Sequence, residues 1–319
     1  MPTHQPPTLP AGGGLLLVDK PGGPTSHDVV GRARAVLRTR RVGHAGTLDP
    51  MATGLLVLAV DRSTRLLGRL ALATKTYTAT IRLGADTDTD DAEGAVIGGS
   101  DPAGVTTDHL DAGLARLTGA LLQVPSSVSA IKVDGRRAYD RVRSGETVEL
   151  AARPVTVSRF DRMGPPRSGA VGESGAVGPF LDVDVVVDCS TGTYIRALAR
   201  DLGADLGVGG HLIALRRTAV GPFGISGAVD LFAEPEIDQP FADAVASAVI
   251  PAGAAARIAF GERVATPEER SDLRFGRPLP AEGRPGVYAV FDAPGGELLA
   301  LVEESGGRAR PVLVWQAAG

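Results

Sequence analysis

The sequence predicts an α+β fold with a largely antiparallel, mixed sheet flanked by helices. Two segments alternate polar and apolar residues as half-buried strands do, KTYTATIRLG (75–84) and LDVDVVVDCS (181–190). SHDVVGRARAVLR (26–38) instead repeats apolar residues at helical spacing. Since the strands and helices do not follow a regular βαβ alternation, an antiparallel sheet is favoured over a parallel one.

The same two periodicities assign the other elements before residue 124. The first helix is predicted to use Ser26 as its N-cap, because a serine oxygen can accept from the first free amides. A later helix is predicted to be capped by Thr107 or Asp108. The remaining elements are a strand LLLVDKPGG (15–23), a strand GLLVLAVDR (54–62), a short helix STRLLGRLALA (63–73) and an amphipathic helix TTDHLDAGLARLTGALLQ (106–123).

The second half of the chain is predicted to contain another helix, a flexible loop and a small β-rich domain. The helix YIRALARDLGADLG (194–207) follows the cap-like Thr193, and the Gly-rich loop 161–179 separates two strands. After about residue 251 short strands dominate, including RVATPEE (263–269). The predicted organisation is a disordered tail 1–14, a large domain 15–235, a linker 236–250 and a small terminal domain 251–319.

Composition restricts the class of protein. The chain has 319 residues, of which 43% are hydrophobic and 22% charged, as expected for a globular protein with a substantial core. No apolar run is long enough to span a bilayer, and MPTHQPPTLPAGGG lacks the features of a secretory signal. A single cysteine, Cys189, excludes an internal disulfide framework. We therefore expect a cytoplasmic protein without a membrane partner.

The formal net charge is −4, but the charges are segregated along the chain. Nine arginines and Lys75 lie between residues 31 and 82, against two aspartates. Two further basic clusters are Lys132, Arg136, Arg137, Arg141 and Arg143, and Arg196, Arg200, Arg216 and Arg217. A local positive field attracts phosphates whatever the net charge, so we interpret these clusters as a surface for nucleic acid. Solvated helix faces are the alternative.

The segment RVGHAGTLDPMATGLL (41–56) presents one carboxylate, Asp49, in a short turn before an apolar run. The neighbouring glycines let the backbone bend, and Pro50 biases Asp49 towards an extended conformation. Such a turn exposes a carboxylate for chemistry. Asp-Pro is also a common turn starter, so a purely structural role is the alternative.

Metal and nucleotide sites are not expected. DTDTDDAEG (86–94) has carboxylates at alternate positions, but Asp91 occupies the position where a calcium loop requires glycine. The histidines and the cysteine do not follow zinc-ligand spacing, and neither a P-loop nor a dinucleotide fingerprint is present.

Six ordered blocks, distributed from residue 20 to residue 223, resemble the TruB family of tRNA pseudouridine synthases. GHAGTLDPMATGLL (43–56) is similar to the family's catalytic motif GHxGTLDPxAxGxL. The other five blocks are KPGGPTSHDVV (20–30), KTYTATIRLGADTDTDDAEG (75–94), VSAIKVDGRRAYDRVRSGE (128–146), CSTGTYIRALARDLGADLG (189–207) and HLIALRRTAVGPF (211–223). The family block QxPPxxSA reads QVPSSVSA here, with Ser126 in place of the second proline.

The resemblance implies the pseudouridine synthase fold and an isomerase that converts uridine 55 in the T-arm loop of tRNA to pseudouridine. It implies that Asp49 is the catalytic carboxylate and that Arg196 pairs with it, although the residues alone favour a surface position for Arg196. Breaking C1′–N1 and rejoining the base through C5 needs neither redox chemistry nor an added group, so no cofactor is expected. Attack at C1′, attack on the base and removal of a ribose proton all remain open.

The resemblance also implies a pocket for a flipped uracil. Tyr77 would stack on the base, with Tyr194 and Leu215 beside it; ordinary core packing is the alternative for Tyr77 and Leu215. His44 would occupy the space vacated by the base, and Lys20 would flank the pocket or support a loop. The residues expected to contact the RNA backbone are Arg136, Arg137 and Arg141.

Two other functions remain open from the sequence. A non-catalytic RNA-binding or tRNA-folding protein would keep the basic surface without the reaction. The other is a pseudouridine synthase that depends on a guide RNA and acts on ribosomal RNA. The lack of long basic tails argues against this enzyme. The terminal domain resembles a small RNA-binding domain of the PUA type, and the lack of helical seams predicts a monomer.

Overall fold

The structure is a computed structural model that describes residues 5–126, 150–170 and 178–316, and the backbone alone of Lys132–Val133 and Arg136–Arg137. The chain divides into two compact units. Unit 1 comprises Met1–Leu48, Leu55–Ala71 and Gly221–Gly319, whereas unit 2 comprises Asp49–Gly54 and Leu72–Val220.

The strands alternate irregularly with the helices, as an α+β fold requires. In chain order they are β1 (Gly14–Lys20), β2 (Val42–His44), β3 (Thr53–Val60), β4 (Lys75–Leu83), β5 (Asp86–Thr87), β6 (Val96–Gly98), β7 (Gly119–Gln123), β8 (Lys132–Val133), β9 (Arg136–Arg137), β10 (Arg153–Arg162), β11 (Arg167–Gly169), β12 (Phe180–Cys189), β13 (Gly210–Val220), β14 (Phe223–Gly224), β15 (Ile250–Pro251), β16 (Glu262–Val264), β17 (Leu279–Pro280), β18 (Val287–Phe291), β19 (Leu298–Ser305) and β20 (Arg308–Val314).

The helices are short, and none within the described residues is long and apolar enough to cross a membrane. They are α1 (Ser26–Leu37), α2 (Leu67–Leu70), α3 (Thr107–Arg116), α4 (Ile195–Asp205), α5 (Gln239–Ser247), α6 (Ala252–Phe260) and α7 (Pro267–Arg274), with 3₁₀ turns at Asp61–Leu66 and Pro102–Gly104.

Unit 2 is built on an antiparallel sheet with the strand order β13-β4-β12-β10-β7. The central strand β4 alternates buried and half-buried residues from Lys75 to Ile81, as its sequence predicts. One parallel contact, of Arg216 and Arg217 with Thr53 and Gly54, makes the arrangement mixed. The predicted fold class, a largely antiparallel mixed sheet with flanking helices, is therefore confirmed.

Unit 1 contains two groups of strands. In the first, β1 lies between β15 and β3, and β2 is antiparallel to β3. The second is the terminal sheet, with the order β16-β18-β19-β20-β17. Its core is apolar and includes Leu273, Tyr288, Val290, Leu299 and Val302. The predicted small β-rich C-terminal sheet is therefore confirmed, and α5 and α6 precede it in the chain.

The first helix begins one residue earlier than its sequence predicts. Its N-cap is Thr25, whose hydroxyl accepts from Asp28 N while the Asp28 carboxylate accepts from Thr25 N, forming a capping box. Ser26 is buried instead, and its hydroxyl donates to Leu48 O (3.0 Å) and accepts from Leu48 N (2.8 Å). The predicted Ser26 cap was wrong because two adjacent hydroxyls compete, and tertiary contacts decide between them.

Two other helix predictions were too long, and one strand prediction missed a helix. The helix predicted for 106–123 ends at Arg116, because Gly119 adopts φ +105° and opens β7. Its N-cap is Thr106 rather than Thr107 or Asp108. The segment 63–73 contains mainly a 3₁₀ turn and the four-residue α2. In RVATPEE, β16 ends at Val264 and α7 starts at Pro267.

Three arginines spaced along residues 62–69 contact the last strand region of unit 1. Arg62 and Arg65 lie against the ring of Trp315, at 5.2 Å and 5.8 Å from its centroid. Arg62 also donates to Trp315 O, and Arg65 to Val314 O (2.6 Å). Arg69 pairs with Glu303 at 3.7 Å. Arg62 and Arg65 therefore hold the end of β20 in place, and Arg69 contacts β19.

Trp315 is the single tryptophan of the chain, so it reports on this contact. Replacing both Arg62 and Arg65 with alanine removes the cation–π and hydrogen-bonding partners, and we expect the ring, 7% exposed, to become more hydrated. The expected result is a red shift of tryptophan emission with the rest of the protein still folded by circular dichroism. As a control, Arg159→Ala, a change at an exposed side chain of β10, should leave the emission unchanged. Unchanged emission in the double variant would contradict this role.

Candidate active site

Asp49 opens a tight turn in unit 2. Its carbonyl oxygen accepts from Ala52 N (3.1 Å), which closes a four-residue turn with Pro50 at the position that favours proline. The side chain remains 38% exposed. The turn therefore presents the carboxylate to solvent, as the sequence predicts.

The turn is followed at once by the first residues of β3, whose backbone lies against β13. Gly54 has φ +100°, and a Cβ there would lie 2.2 Å from Arg217 O. An alanine would clash with backbone rather than with a movable side chain, so glycine is required for this close approach. Gly54 therefore fixes the distance between the Asp49 turn and β13.

Arg196 lies in the first turn of α4 and meets two carboxylates from distant parts of the chain. Its Nε lies 3.0 Å from Asp49 Oδ2, and its Nη1 lies 3.2 Å from Asp91 Oδ2. Nη1 also donates to Thr89 O (2.9 Å). Only 5% of the Arg196 side chain is exposed, so the carboxylates compensate a largely desolvated cation. The predicted surface alternative for Arg196 is excluded by this burial.

Asp91 is a site residue that the sequence analysis missed. Its side chain is 5% exposed, and its Oδ1 accepts from Thr89 Oγ1 (2.6 Å) and from Glu93 N (3.1 Å). The segment 86–94, called the acidic turn below, therefore folds inward at Asp91 and orients the Asp91 carboxylate towards Arg196. The only signal in the sequence was that Asp91 belongs to one of the six blocks.

Tyr77 and Leu215 share one face of the unit 2 sheet. Opposed residues on antiparallel strands point to the same side, and Tyr77 lies opposite Arg217 on β13 and Val187 on β12. Leu215 lies opposite Ala79, the next residue of β4 on that face. A tyrosine ring and an apolar side chain are thus neighbours, as a pocket for a planar base requires.

Two charged residues of this site, Arg217 and Asp49, affect the pKa of Tyr77. Burial raises the pKa of Tyr77, and the hydrogen-bonded guanidinium of Arg217 acts in the opposite direction. Asp49 is close enough to add to the upward shift of the Tyr77 pKa. Tyr77 therefore remains protonated at neutral pH, with Arg217 opposite it and the Asp49 carboxylate nearby.

Lys75 and Cys189 form the next row on the same face, since they lie opposite each other on β4 and β12. Lys75 is 6% exposed, and burial together with the nearby Arg217 lowers its pKa to about 8. Cys189 is 1% exposed, and burial raises the pKa of its thiol to about 11. Lys75 Nζ donates to Ala73 O (2.7 Å).

The other predicted pocket residues fall into both units. Tyr194 is half-buried in unit 2 and is the N-cap of α4, so the predicted cap at Thr193 was wrong. His44 and Lys20 belong to unit 1. His44 is in β2, opposite Leu58, and Lys20 is fully buried with Nζ donating to Pro21 O (2.8 Å). Their predicted roles at the base remain predictions.

Of the residues predicted to contact the RNA backbone, the structure describes only the backbone atoms of Arg136 and Arg137. The backbone of β8 pairs with that of β9, which places Arg136 opposite Val133 and Arg137 opposite Lys132. Arg141 lies outside the described residues. In the first basic cluster, the arginines that bind partners inside the protein are Arg32, Arg34, Arg38, Arg62, Arg65, Arg69 and Arg82.

Within the described residues, His, Cys, Asp and Glu side chains form no group of three or more that could hold a metal ion. In the acidic turn, the carboxylates that could bind a metal ion pair with arginines instead. Its two central carboxylates face arginines, since Asp91 pairs with Arg196 and Asp90 with Arg200 at 3.1 Å.

Family comparisons together match most of the chain. The TruB family pseudouridylate synthase N-terminal domain matches residues 34–195. Two C-terminal domains match further along: the tRNA pseudouridylate synthase B C-terminal domain at 196–233 and the tRNA pseudouridine synthase II C-terminal domain at 260–316.

Curated relatives agree over nearly their full lengths. A tRNA pseudouridine synthase B of Nocardia farcinica is 56% identical over 311 residues, covering 96% of this chain and 94% of that protein. Proteins of the same name from Rhodococcus jostii and Streptomyces griseus are each 54% identical, and each alignment covers 95% of this chain.

Solved structures agree on the fold. A chain of a Cbf5-Nop10-Gar1 complex matches with a TM-score of 0.67 at 24% identity, over 95% of this chain and 85% of that one. A chain of an archaeal box H/ACA sRNP Nop10-Cbf5 complex gives 0.64 at 23%, over 95% and 86%. Taken with the family matches above, this fold is that of the pseudouridine synthases. Within this class, the chain belongs to the TruB family.

Replacing Asp91 with asparagine tests the buried charge arrangement. The change leaves Arg196 with one carboxylate, and we expect the free energy of unfolding to fall by about 2 kcal/mol. Urea denaturation followed by circular dichroism measures this. The matched control, Asp161→Asn, breaks a solvent-exposed pair with Arg159 and should leave the midpoint unchanged. Equal midpoints for Asp91→Asn and wild type would show that Asp91 does not compensate Arg196.

The low pKa of Lys75 predicts a pH dependence of stability. Between pH 8 and its ordinary value of 10.5, the unfolded chain binds more protons at Lys75 than the folded protein does, so stability rises with pH. The raised pKa of Cys189 opposes this trend only above the ordinary thiol value of 9. From pH 8 to 9 we expect Lys75 to add at most about 1 kcal/mol to the free energy of unfolding. Lys75→Met should lack this increment in urea titrations at the two pH values; parallel behaviour of both proteins would refute it.

Proposed function

We propose that this protein converts uridine 55 in the T-arm loop of tRNA to pseudouridine, with Asp49 as the essential carboxylate. The proposal is supported most directly by one observation. The carboxylate of the family's catalytic motif, Asp49, is paired at 3.0 Å with the buried Arg196, which a second carboxylate holds in place. The tRNA pseudouridine synthase B relatives, at 50–56% identity, support tRNA as the substrate.

The geometry of Asp49 suits a carboxylate that must reach a substrate. Arg196 Nε lies 3.0 Å from Asp49 Oδ2 and orients the carboxylate, while 38% of the Asp49 side chain remains exposed to an incoming nucleoside. A carboxylate so held can attack carbon or accept a ribose proton without first moving.

The sheet face explains how an extruded uracil would be held. Tyr77 offers a ring for stacking, and Leu215 an apolar contact on the same face. After C5 has joined C1′, the proton on C5 must leave to restore the base, and N1 gains one. The hydroxyl of Tyr77, hydrogen-bonded to Arg217, is a polar group on this face that could assist that transfer.

Binding of the rest of the tRNA is assigned to the second basic cluster and the terminal domain. Arg136, Arg137 and Arg141 would contact backbone phosphates, and the small β-rich domain would contact RNA as well. We further propose that the protein acts as a monomer in the cytoplasm. A chain whose single cysteine is buried and protonated is compatible with a reducing compartment.

The deciding experiment is tritium release from an unmodified tRNA transcript labelled with [5-³H]uridine, with the modified position mapped by chemical probing and primer extension. Wild type should release one equivalent of tritium per tRNA at uridine 55. Asp49→Asn should lower the rate by about 10³-fold or more while keeping tRNA affinity within about twofold, because it removes the reacting oxygen and keeps the shape of the turn.

Asp161→Asn is the matched control, since it makes the same change at an exposed side chain of β10, and it should retain full activity. Tight tRNA binding by wild type without tritium release would instead favour the non-catalytic RNA-binding function. Release mapped to a different nucleotide would keep the chemistry and overturn the substrate. Loss of tRNA binding by Asp49→Asn would show that the turn is structural.

A further inference from the structure

A buried glutamine at the end of β7 binds the start of the helix that carries Arg196. The Gln123 side chain accepts from Tyr194 N at Oε1 (2.8 Å) and donates to Tyr194 O from Nε2 (3.1 Å). Both bonds go to the backbone of one residue, the N–H and C=O of Tyr194, as in the hydrogen-bonded pairs of an antiparallel sheet. Gln123 is 3% exposed, so water does not compete for these bonds.

Helix α4 depends on this contact because it has no cap of its own. Tyr194 is the N-cap, and its side chain makes no capping hydrogen bond. Tyr194 O accepts the first helical bond, from Leu198 N (3.2 Å), as well as the Gln123 amide. The orphan groups at a helix start need outside partners, and Gln123 supplies one here. Arg196 follows two residues later.

Helix α4 also contacts the residue after Gln123. Val124 O accepts from Arg200 Nη2 (2.8 Å), one turn beyond Arg196 on α4. Arg200 Nη1 pairs with Asp90 Oδ2 of the acidic turn at 3.1 Å. Gln123 and Val124 therefore both contact α4, which is joined to the acidic turn through Arg200 as well as through Arg196.

We propose that Gln123 is a positioning residue that sets the register of α4 and thereby the placement of Arg196 against Asp49. The proposal rests on the proposed function, because the placement of Arg196 affects turnover only if Asp49 performs the chemistry. Glutamine suits this role because its amide both donates and accepts. Leucine has a similar volume and does neither, and glutamate only accepts when ionised.

The kinetic test compares Gln123→Leu with wild type in single- and multiple-turnover tritium release. Displacing a catalytic group by about 1 Å costs up to about 100-fold, so we expect kcat to fall between about 10- and 100-fold with KM for tRNA within about twofold. Gln123→Glu should lose activity too, because a carboxylate would face Tyr194 O. A rise of KM alone, or wild-type kcat in Gln123→Leu, would overturn the proposal.

Two controls separate positioning from general destabilisation. Asp182→Asn disrupts the buried pair with Arg82 in the same sheet, so it should destabilise the protein while retaining kcat at 25 °C. In an Arg196→Lys background, Gln123→Leu should cause little further loss, since both changes disturb the same contact with Asp49. Fully additive losses would show that Gln123 does not act through Arg196.

Hydrogen exchange tests the contact independently of activity. In Gln123→Leu the amides at the start of α4, from Tyr194 to Leu198, should exchange faster, whereas those of α3 should be unchanged. If wild type releases no tritium, the proposed function fails while this measurement still decides whether Gln123 fixes the helix start. Unchanged exchange at Tyr194 would contradict the proposal in either case.

Discussion

The desolvated charge of Arg196 is the constraint on which the candidate site depends. A guanidinium that is 95% removed from water is stable only if nearby anions and acceptors replace the lost hydration. Here Asp49 comes from a turn before β3, Asp91 from the acidic turn after β4, and the arginine from the first turn of α4. Any shift of one segment would leave a buried charge uncompensated. The same contact that orients the exposed carboxylate therefore also ties three distant segments of unit 2 together.

The sequence was most informative where structure follows from local periodicity. β4 and β12 were predicted from the alternation of polar and apolar residues in their sequences. Burial follows this alternation in β4 up to Ile81, whereas β12 is buried at eight of its ten positions. Helix limits were predicted less well, since they depend on single residues. Gly119 ends the α3 segment through a positive φ that the apolar spacing of 106–123 conceals. Thr25 and Ser26 are chemically equivalent caps, and the choice follows from the contact of Ser26 with Leu48, 22 residues away.

In the candidate site too, local features could be predicted from the sequence, whereas features that depend on distant contacts could not. Asp49 stands out in a Gly- and Pro-containing turn, but burial of Arg196 could not be inferred from the spacing of α4. Asp91 and Gln123 act through partners 105 and 71 residues away, so their roles become visible only in three dimensions. The arginines of residues 62–69 are the opposite case, because the sequence suggests a role for them and the structure shows a different one. Their clustering indicates a phosphate-binding surface, whereas the structure engages them with Trp315, Val314 and Glu303.

The burial of Cys189 has a practical consequence for spectroscopy. Maleimides and related reagents attack the thiolate, and a thiol that is 1% exposed with a pKa of about 11 offers almost none near neutral pH. The native cysteine is therefore almost unreactive towards maleimide dyes, and it need not be replaced before labelling. A cysteine introduced at Leu72, which is 62% exposed, would carry a single fluorophore. Energy transfer from that dye to a labelled RNA could then time the encounter separately from the chemistry.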